Sequence, residues 1–367
     1  MKPRIAFLLQ MFGVGGMPKW LFRLAGELRD EFNFYFVATH SNHFLPDYAQ
    51  VAQVDFVPPS RWALAWHLWR HRIDLAQVAN LRLYTDAARL AGVPSVIERV
   101  DGVRGGAALN RKDGLDMVVA STRGMLRRLE AVVSPEKARL IYNGVDLQAF
   151  DAASIERFGL DQDAVIIGRT SRLAGGKNIS LLIAGVKQLR QQPGYQHVHL
   201  VICGGDTTQP GAPPMLQQLR DEAADLGAAV IFTGELADPI PVTKGYDIAT
   251  CTSLPDNEGI PNSLIEAMAA GKPVVASAVD DIPELVKDGE TGILFESNNL
   301  DQLTAALRQL VDDASLRRQM GLAGRQVVEQ NFELHTRAGE YRNLYRDLVA
   351  ANGLHILNRF ARISGHA

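Results

Sequence analysis

Four ionisable residues, two near the middle of the chain and two further on, are spaced so that they could manage an anionic leaving group. Glu258 and Glu266 stand eight positions apart in Glu258-Gly-Ile-Pro-Asn-Ser-Leu-Ile-Glu266-Ala-Met-Ala-Ala-Gly-Lys-Pro-Val-Val-Ala-Ser277. Pro261 suits the first turn of a helix, where a missing N–H costs nothing. Leu264, Ile265 and Met268 give that helix an apolar face, Gly271 caps its end and Pro273 stops it. Val274, Val275 and Ala276 then read as a short buried parallel strand. This places Glu258 in the loop before the helix and Glu266 about two turns along it. The helix N-terminus between them, Gly259, Ile260, Pro261 and Asn262, offers free backbone N–H groups as a seat for phosphate. A carboxylate one or two turns from a bound diphosphate is placed to take ribose hydroxyls.

The second pair of charges is Arg172 and Lys177, in Gly168-Arg-Thr-Ser-Arg-Leu-Ala-Gly-Gly-Lys-Asn-Ile-Ser-Leu-Leu-Ile-Ala-Gly185, directly after a strand-like run. Open α/β sheets bind ligands beyond the C-terminal ends of their strands. Two cations fixed at such an end stabilise the negative charge that grows on a departing diphosphate. Arginine offers a fork to two oxygens, and lysine a point charge. The plainer reading is a pair of solvated loop cations; the carboxylate block downstream weighs for function.

These residues need a scaffold, and the hydrophobic pattern supplies one. Strand-like and helix-like runs alternate: strands at Ile5–Leu9, Asn33–Ala38, Ser95–Arg99, Met117–Ser121 and Leu140–Tyr142, with helices at Pro18–Arg29 and Trp62–Arg72. The pattern restarts with strands at Ala164–Gly168, His197–Cys203, Ala229–Thr233, Ile248–Cys251 and Pro273–Ser277, and a helix at Ser180–Gln191. Such alternation implies α/β architecture with doubly wound parallel sheets, twice in series. The 367 residues are too many for one ordinary domain and suit two. The expected division is 1–148, 149–330 and a C-terminal helix over 331–367. A net charge of −3 gives no electrostatic case for nucleic acid. Cys203 and Cys251 each lie in an apolar run and read as buried thiols. The first ten residues lack a signal peptide's apolar core and cleavage site. No run approaches the ~20 apolar residues of a membrane span. A cytoplasmic protein is expected, peripheral on the inner membrane face at most.

The Glu258–Glu266 block resembles the Glu-x7-Glu signature of the retaining GT-B glycosyltransferases of family 4, the group 1 type. The likeness extends from Ser253 to Ala276, S-L-P-D-N-E-G-I-P-N-S-L-I-E-A-M-A-A-G-K-P-V-V-A. The Arg172 segment is similar to the family's G-R-x-x-x-x-K-x-x-x-x-L-I-x-A pattern. Asn143-Gly-Val-Asp-Leu-Gln-Ala-Phe150 resembles its interdomain element, and Gly204-Gly205 its glycine turn near the nucleotide. The resemblance implies two Rossmann-like domains facing across a cleft, with the last helix crossing back to the first. It implies transfer of a sugar, with retention of configuration, from a UDP- or GDP-sugar to a hydroxyl of a glycan or glycolipid acceptor in cell-envelope synthesis. The nucleotide sugar is a co-substrate, and neither cofactor nor metal is required. In the front-face route ascribed to the family, the diphosphate itself takes the acceptor's proton. Arg172, Lys177 and Glu258 would be catalytic, and Gly204, Gly259, Ile260, Pro261, Asn262 and Glu266 would bind the donor. Gly15 and Gly16 join that set because Phe12-Gly-Val-Gly-Gly-Met-Pro18 resembles the family's first glycine loop. This loop is not a dinucleotide fingerprint, since Pro18 stands where the third glycine belongs.

Asp101 marks a departure. Many members carry histidine there, whereas this chain reads Pro94-Ser-Val-Ile-Glu-Arg-Val-Asp101-Gly102. Asp101 is carried as a catalytic candidate that touches sugar or acceptor; an Asp-Gly turn is the alternative. The same departure keeps open a catalytically silent sugar-nucleotide binder, beside a GT-B nucleotide-sugar 2-epimerase. Asp161-Gln-Asp163 has the form of a metal-binding pair but reads as a loop. Trp62, Trp66 and Trp69, among Arg61, His67, Arg70 and His71, read by default as core packing with a solvated face; a peripheral membrane contact is the sharper reading.

Overall fold

Every strand pairing in the two sheets is parallel, as expected where helices connect successive strands. The computed structural model describes residues 2–12, 16–40, 46–79, 81–101, 114–206 and 213–364, the side chains of 352–364 excepted. The chain divides into two units, Met1–Gly144 with Leu334–Ala367, and Val145–Glu333.

The first unit holds β1 (Arg4–Leu9), β2 (Asn33–Ala38), β3 (Gln53–Phe56), β4 (Leu75–Ala79), β5 (Ser95–Val100), β6 (Met117–Ala120) and β7 (Ala138–Leu140). Their order in the sheet is β3-β2-β1-β4-β5-β6-β7. Helix α1 (Gly16–Leu28) packs on one face through Trp20, Leu21, Leu24 and Leu28. The helix Leu334–Ser364 shares that core through Tyr341, Leu344 and Tyr345. The other face is covered by α2 (Arg61–Arg70), α3 (Arg82–Leu90) and α4 (Arg123–Glu130). Gly144, in the Asn-Gly segment read as a linker, lies so close to the last helix that a Cβ would stand 2.7 Å from the Leu334 backbone.

The second unit repeats the plan with β8 (Val165–Thr170), β9 (Val198–Cys203), β10 (Val230–Gly234), β11 (Ile248–Cys251), β12 (Val274–Ser277) and β13 (Gly292–Phe295), ordered β10-β9-β8-β11-β12-β13. Its core joins these strands to α5 (Ile179–Arg190) and, further along, Leu303, Leu307 and Leu310. Helix α6 (Asn262–Ala269), which carries Glu266, is buried against α8 (Ala314–Asn331), itself preceded by α7 (Leu300–Asp312). Gly321 and Gly324 make that approach close: a Cβ on Gly321 would stand 2.0 Å from the Gly271 carbonyl oxygen, and one on Gly324 3.3 Å from Met268.

The hydrophobic pattern predicts most of these elements but passes over β3, β4 and β13. Strand β4, Leu-Ala-Gln-Val-Ala, is hidden by Gln77, a polar residue in a fully paired strand. Its amide oxygen accepts from the buried Tyr345 hydroxyl at 2.7 Å, a partner 268 residues away. Both sheets reverse their winding direction once. In the second unit this happens between β8 and β11, the kind of crevice where doubly wound sheets hold ligands.

Candidate functional site

The winding reversal brings the end of β8 beside the end of β11, and the charged residues singled out in the sequence gather there. Lys177 lies in a 3-10 turn after β8, and its Nζ donates to Glu258 Oε1 at 2.5 Å. Ser253 Oγ donates to the same oxygen at 2.5 Å. The guanidinium of Arg169, on β8 and 1% exposed, reaches it at 3.8 Å. Arg169 also donates to the Thr250 carbonyl at 2.9 Å and to Ser253 Oγ at 3.2 Å. Burial opposes its charge, but Cys251 and Glu258 outweigh that and hold its pKa above the ordinary arginine value. A buried carboxylate thus faces two cations, and the side chains of Arg169, Lys177 and Glu258 together carry one surplus positive charge.

The loop bearing Glu258 is fixed from below. The Asp280 carboxylate accepts from the backbone N–H groups of Asp256, Asn257 and Glu258 at 3.0, 3.1 and 3.0 Å. Asp256 and Asp280 both adopt positive φ, 61° and 52°, a left-handed conformation that aspartate tolerates better than most residues. Gly176 allows the approach of the two loops, since a Cβ there would stand 2.0 Å from the Asn257 side chain. The single Thr252 O–H is shared between the carbonyls of Lys177 and Asn178, at 3.0 and 2.9 Å, and locks the lysine turn to the β11 end.

Pro261 is the N-cap of α6 rather than a residue of its first turn, with φ −65° and ψ 125°. The helix therefore starts at Asn262, and buried Glu266 sits just over one turn along it, not two. The correction moves Glu266 closer to the helix N-terminus. The φ of Gly204 is 146°, and a Cβ there would meet the Ser171 carbonyl oxygen at 1.8 Å. The glycine lets the end of β9 press against the segment bearing Arg172. That segment is held by Ser171 N–H to Cys203 O at 3.0 Å and Leu173 N–H to Gly205 O at 2.8 Å. Arg172 is exposed and makes no hydrogen bond or ion pair among the described residues. Gly259, Ile260 and Asn262 follow Glu258 directly into α6.

Asp101 belongs to the first unit and has a different environment. Its carboxylate pairs with Arg99 Nε at 2.9 Å. Arg99 lies on β5, 1% exposed, and also donates to Tyr341 Oη, to Asn143 Oδ1 and to the Ile141 carbonyl. Its guanidinium stands 5.6 Å over the Trp20 ring and 5.8 Å over that of Tyr341. Burial works against the charge, yet Asp101 and Tyr341 hold the Arg99 pKa above its usual value. Gly16 is the first residue of α1, while Gly15 lies outside the described residues. Asp161 and Asp163 are exposed in the loop before β8. One trio of metal-ligating types occurs among the described residues, Asp55, His67 and His71, with ligand atoms within 4.8 Å of one another. It joins α2 to the edge strand β3 in the first unit.

Reasoning from sequence passes over Arg169, Ser253 and Asp280. A charge inside the apolar run Val-Ile-Ile-Gly-Arg-Thr was the available signal for Arg169. Ser253 and Asp280 carry none, because each acts across a strand end.

Two doubly wound parallel sheets with this winding define the GT-B class of α/β proteins, and the comparisons agree. The Anabaena protein Alr3699/HepE, solved in complex with UDP and glucose, superposes with a TM-score of 0.77 at 19% identity, covering 94% of this chain and 100% of that one. Residues 162–313 match the model of the family described as glycosyl transferases group 1. The GDP-mannose-dependent alpha-(1-6)-phosphatidylinositol monomannoside mannosyltransferase of Mycolicibacterium smegmatis is 30% identical over 293 residues, 72% of this chain and 74% of the relative. The alpha-maltose-1-phosphate synthase of the same organism is 26% identical over 257 residues, 65% of each chain. The chain belongs to the glycosyl transferases group 1 family. It spans 65% of the length of the maltose-1-phosphate synthase, a little under two thirds.

Proposed function

We propose that this protein transfers a sugar from a nucleoside-diphosphate sugar to an acceptor hydroxyl, with retention of configuration and without a metal ion. The observation that carries the reading is the cluster at the β8–β11 reversal: two cations on one buried carboxylate, beside the start of α6. The surplus positive charge, with exposed Arg172, is what a departing diphosphate requires. Backbone N–H groups at the N-terminus of α6 add partial positive charge at the same place. These groups supply what a divalent cation would otherwise contribute. Glu266, one turn into the helix, takes the ribose hydroxyls.

Among the described residues, the side-chain contacts of Glu258 fall on Oε1, which Lys177 and Ser253 occupy. A carboxylate so engaged is a poor nucleophile, so a covalent glycosyl-enzyme of the hydrolase kind is not invoked. Glu258 instead aims the lysine and presents its other oxygen to the donor. The bond from the sugar's anomeric carbon to the diphosphate breaks, the acceptor oxygen bonds from the same face, and a diphosphate oxygen takes the acceptor's proton. A UDP- or GDP-sugar donor is supported by the structural neighbour solved with UDP and by the GDP-mannose-dependent relative, whose phosphatidylinositol monomannoside acceptor supports a glycolipid or glycan acceptor here; an envelope setting is part of the same proposal.

The test is thermal unfolding of the whole protein with UDP, GDP, ADP and their sugars, with and without chelator. A ligand of the native state raises the midpoint by mass action. A selective shift that chelator leaves unchanged is expected. A shift that chelator abolishes overturns the metal-free reading, and no shift with any nucleotide overturns the donor site.

A further inference from the structure

The surface of α2 does not fit a free-standing soluble domain. Three of the chain's four tryptophans lie on it, and all three are exposed: Trp62 and Trp69 at 66% and Trp66 at 57%. The sequence default, core packing, is therefore corrected. The core side of the helix is taken by Leu64, Ala65, His67 and Leu68, which leaves the indoles outside. At about 100° per residue the three rings fall within about 60° of one another, on one face. Arg61 and Arg70 bracket them, each guanidinium 5.1 Å from a ring centroid, over Trp62 and Trp66 respectively. The helix is held in place from behind: Ser60 caps it, and His67 Nε2 stands 3.7 Å from Asp55 on β3.

Charge singles out one occupant. From Phe56 through Ile73 the chain has three arginines, two histidines and no acidic residue, within a protein of net charge −3. Indole rings flanked by arginines suit the headgroup level of a bilayer, where ring bodies meet acyl chains and charged tips meet phosphates. A second copy of the chain would set arginines against arginines in a two-fold contact. A protein pocket would have to desolvate both guanidiniums.

We propose that the tryptophan face of α2 is a membrane-interface contact that seats the first unit on an anionic bilayer. The inference stands on this surface alone and does not depend on the donor site. No described helix is long and apolar enough to cross a membrane; the proposed attachment lies in the interface plane.

The experiment is flotation of the full-length protein with phosphatidylcholine vesicles, with and without phosphatidylglycerol, read beside tryptophan emission. The expected result is binding to the mixed vesicles with a blue shift, weakened by salt. The triple variant W62A/W66A/W69A should lose binding at least tenfold while its thermal midpoint stays put, because these side chains are outside the core. Arg61→Gln with Arg70→Gln should lose about fivefold per arginine on anionic vesicles only. Equal binding by the wild type and the triple variant overturns the proposal, as does wild-type indifference to the anionic lipid. A concentration-dependent dimer that the triple variant abolishes would assign the face to a second copy instead. If nucleotides shift the midpoint but vesicles are ignored, the membrane inference fails and the donor site stands.

Discussion

Each unit of this molecule buries an arginine at the fifth position of a central strand, Arg99 on β5 and Arg169 on β8, and each arginine has a carboxylate in reach. The surroundings differ in their charge balance. Around Arg99 the account closes: one carboxylate, one carbonyl, one amide oxygen and one phenol occupy the guanidinium, and two aromatic rings cover it. Around Arg169 a second cation, Lys177, shares the carboxylate, and a helix N-terminus opens beside them. A balanced ion pair finishes a structure, whereas an unbalanced one is finished by a ligand. On this comparison Asp101 is the counter-ion of Arg99, and turnover of its asparagine variant, below, tests a catalytic role for it.

The largest effect should come from removing the surplus charge. Lys177→Ala should lower kcat by about 10²–10³-fold, with a smaller change in nucleotide affinity; steady-state kinetics beside titration calorimetry reads both. A loss confined to affinity would make the second cluster a binding device only. Next, Asp101→Asn should destabilise the protein by about 3 kcal/mol, since it leaves Arg99 charged and buried with its partner weakened. Turnover per folded molecule should stay close to wild type. Urea denaturation and assays on the folded fraction decide, and a collapse of turnover at unchanged stability would erase the contrast between the clusters. Glu266→Ala should weaken UDP or GDP binding by about 1.5–3 kcal/mol, the range for a hydrogen bond to a charged group, and unchanged affinity would remove the ribose assignment.

The smallest effect concerns a group outside both clusters. Burial holds the His67 imidazole below its ordinary 6.5 against the pull of Asp55. The unfolded chain therefore binds the proton first as pH falls below about 6.5, and stability declines until the folded imidazole also titrates. His67→Asn should remove part of the stability difference between pH 7.5 and 5.5 in urea melts.

How much of this was legible depended on whether a feature is contiguous in the chain. The Glu258–Glu266 block carries its own punctuation, with glycine and proline around an apolar face; the helix start moved by one residue, and Glu266 sits one turn along rather than two. The alternation of strands and helices survived the loss of β3, β4 and β13, because the remaining runs kept the winding. Asp280, Ser253 and the Arg99–Asp101 pair were not legible in role. Each acquires its meaning from a neighbour across a sheet, and nothing in the local text marks that neighbour. The tryptophans of α2 depart from the default of core packing with a solvated face, while the sharper reading of a membrane contact stays open, for a related reason: periodicity shows that a helix has an apolar side, but Leu64, Ala65 and Leu68 fill the inward one.

The helix Leu334–Ser364 belongs to the first unit, although the whole second unit precedes it in the chain. On the ribosome this sets an order of events. Residues 145–333 form a continuous segment that can fold once it has emerged. The earlier strands must wait, with Trp20 and Phe32 uncovered, for Tyr341 and Tyr345 to be synthesised. The half made first is completed last, so its exposed aromatic face is the surface a chaperone would meet during synthesis.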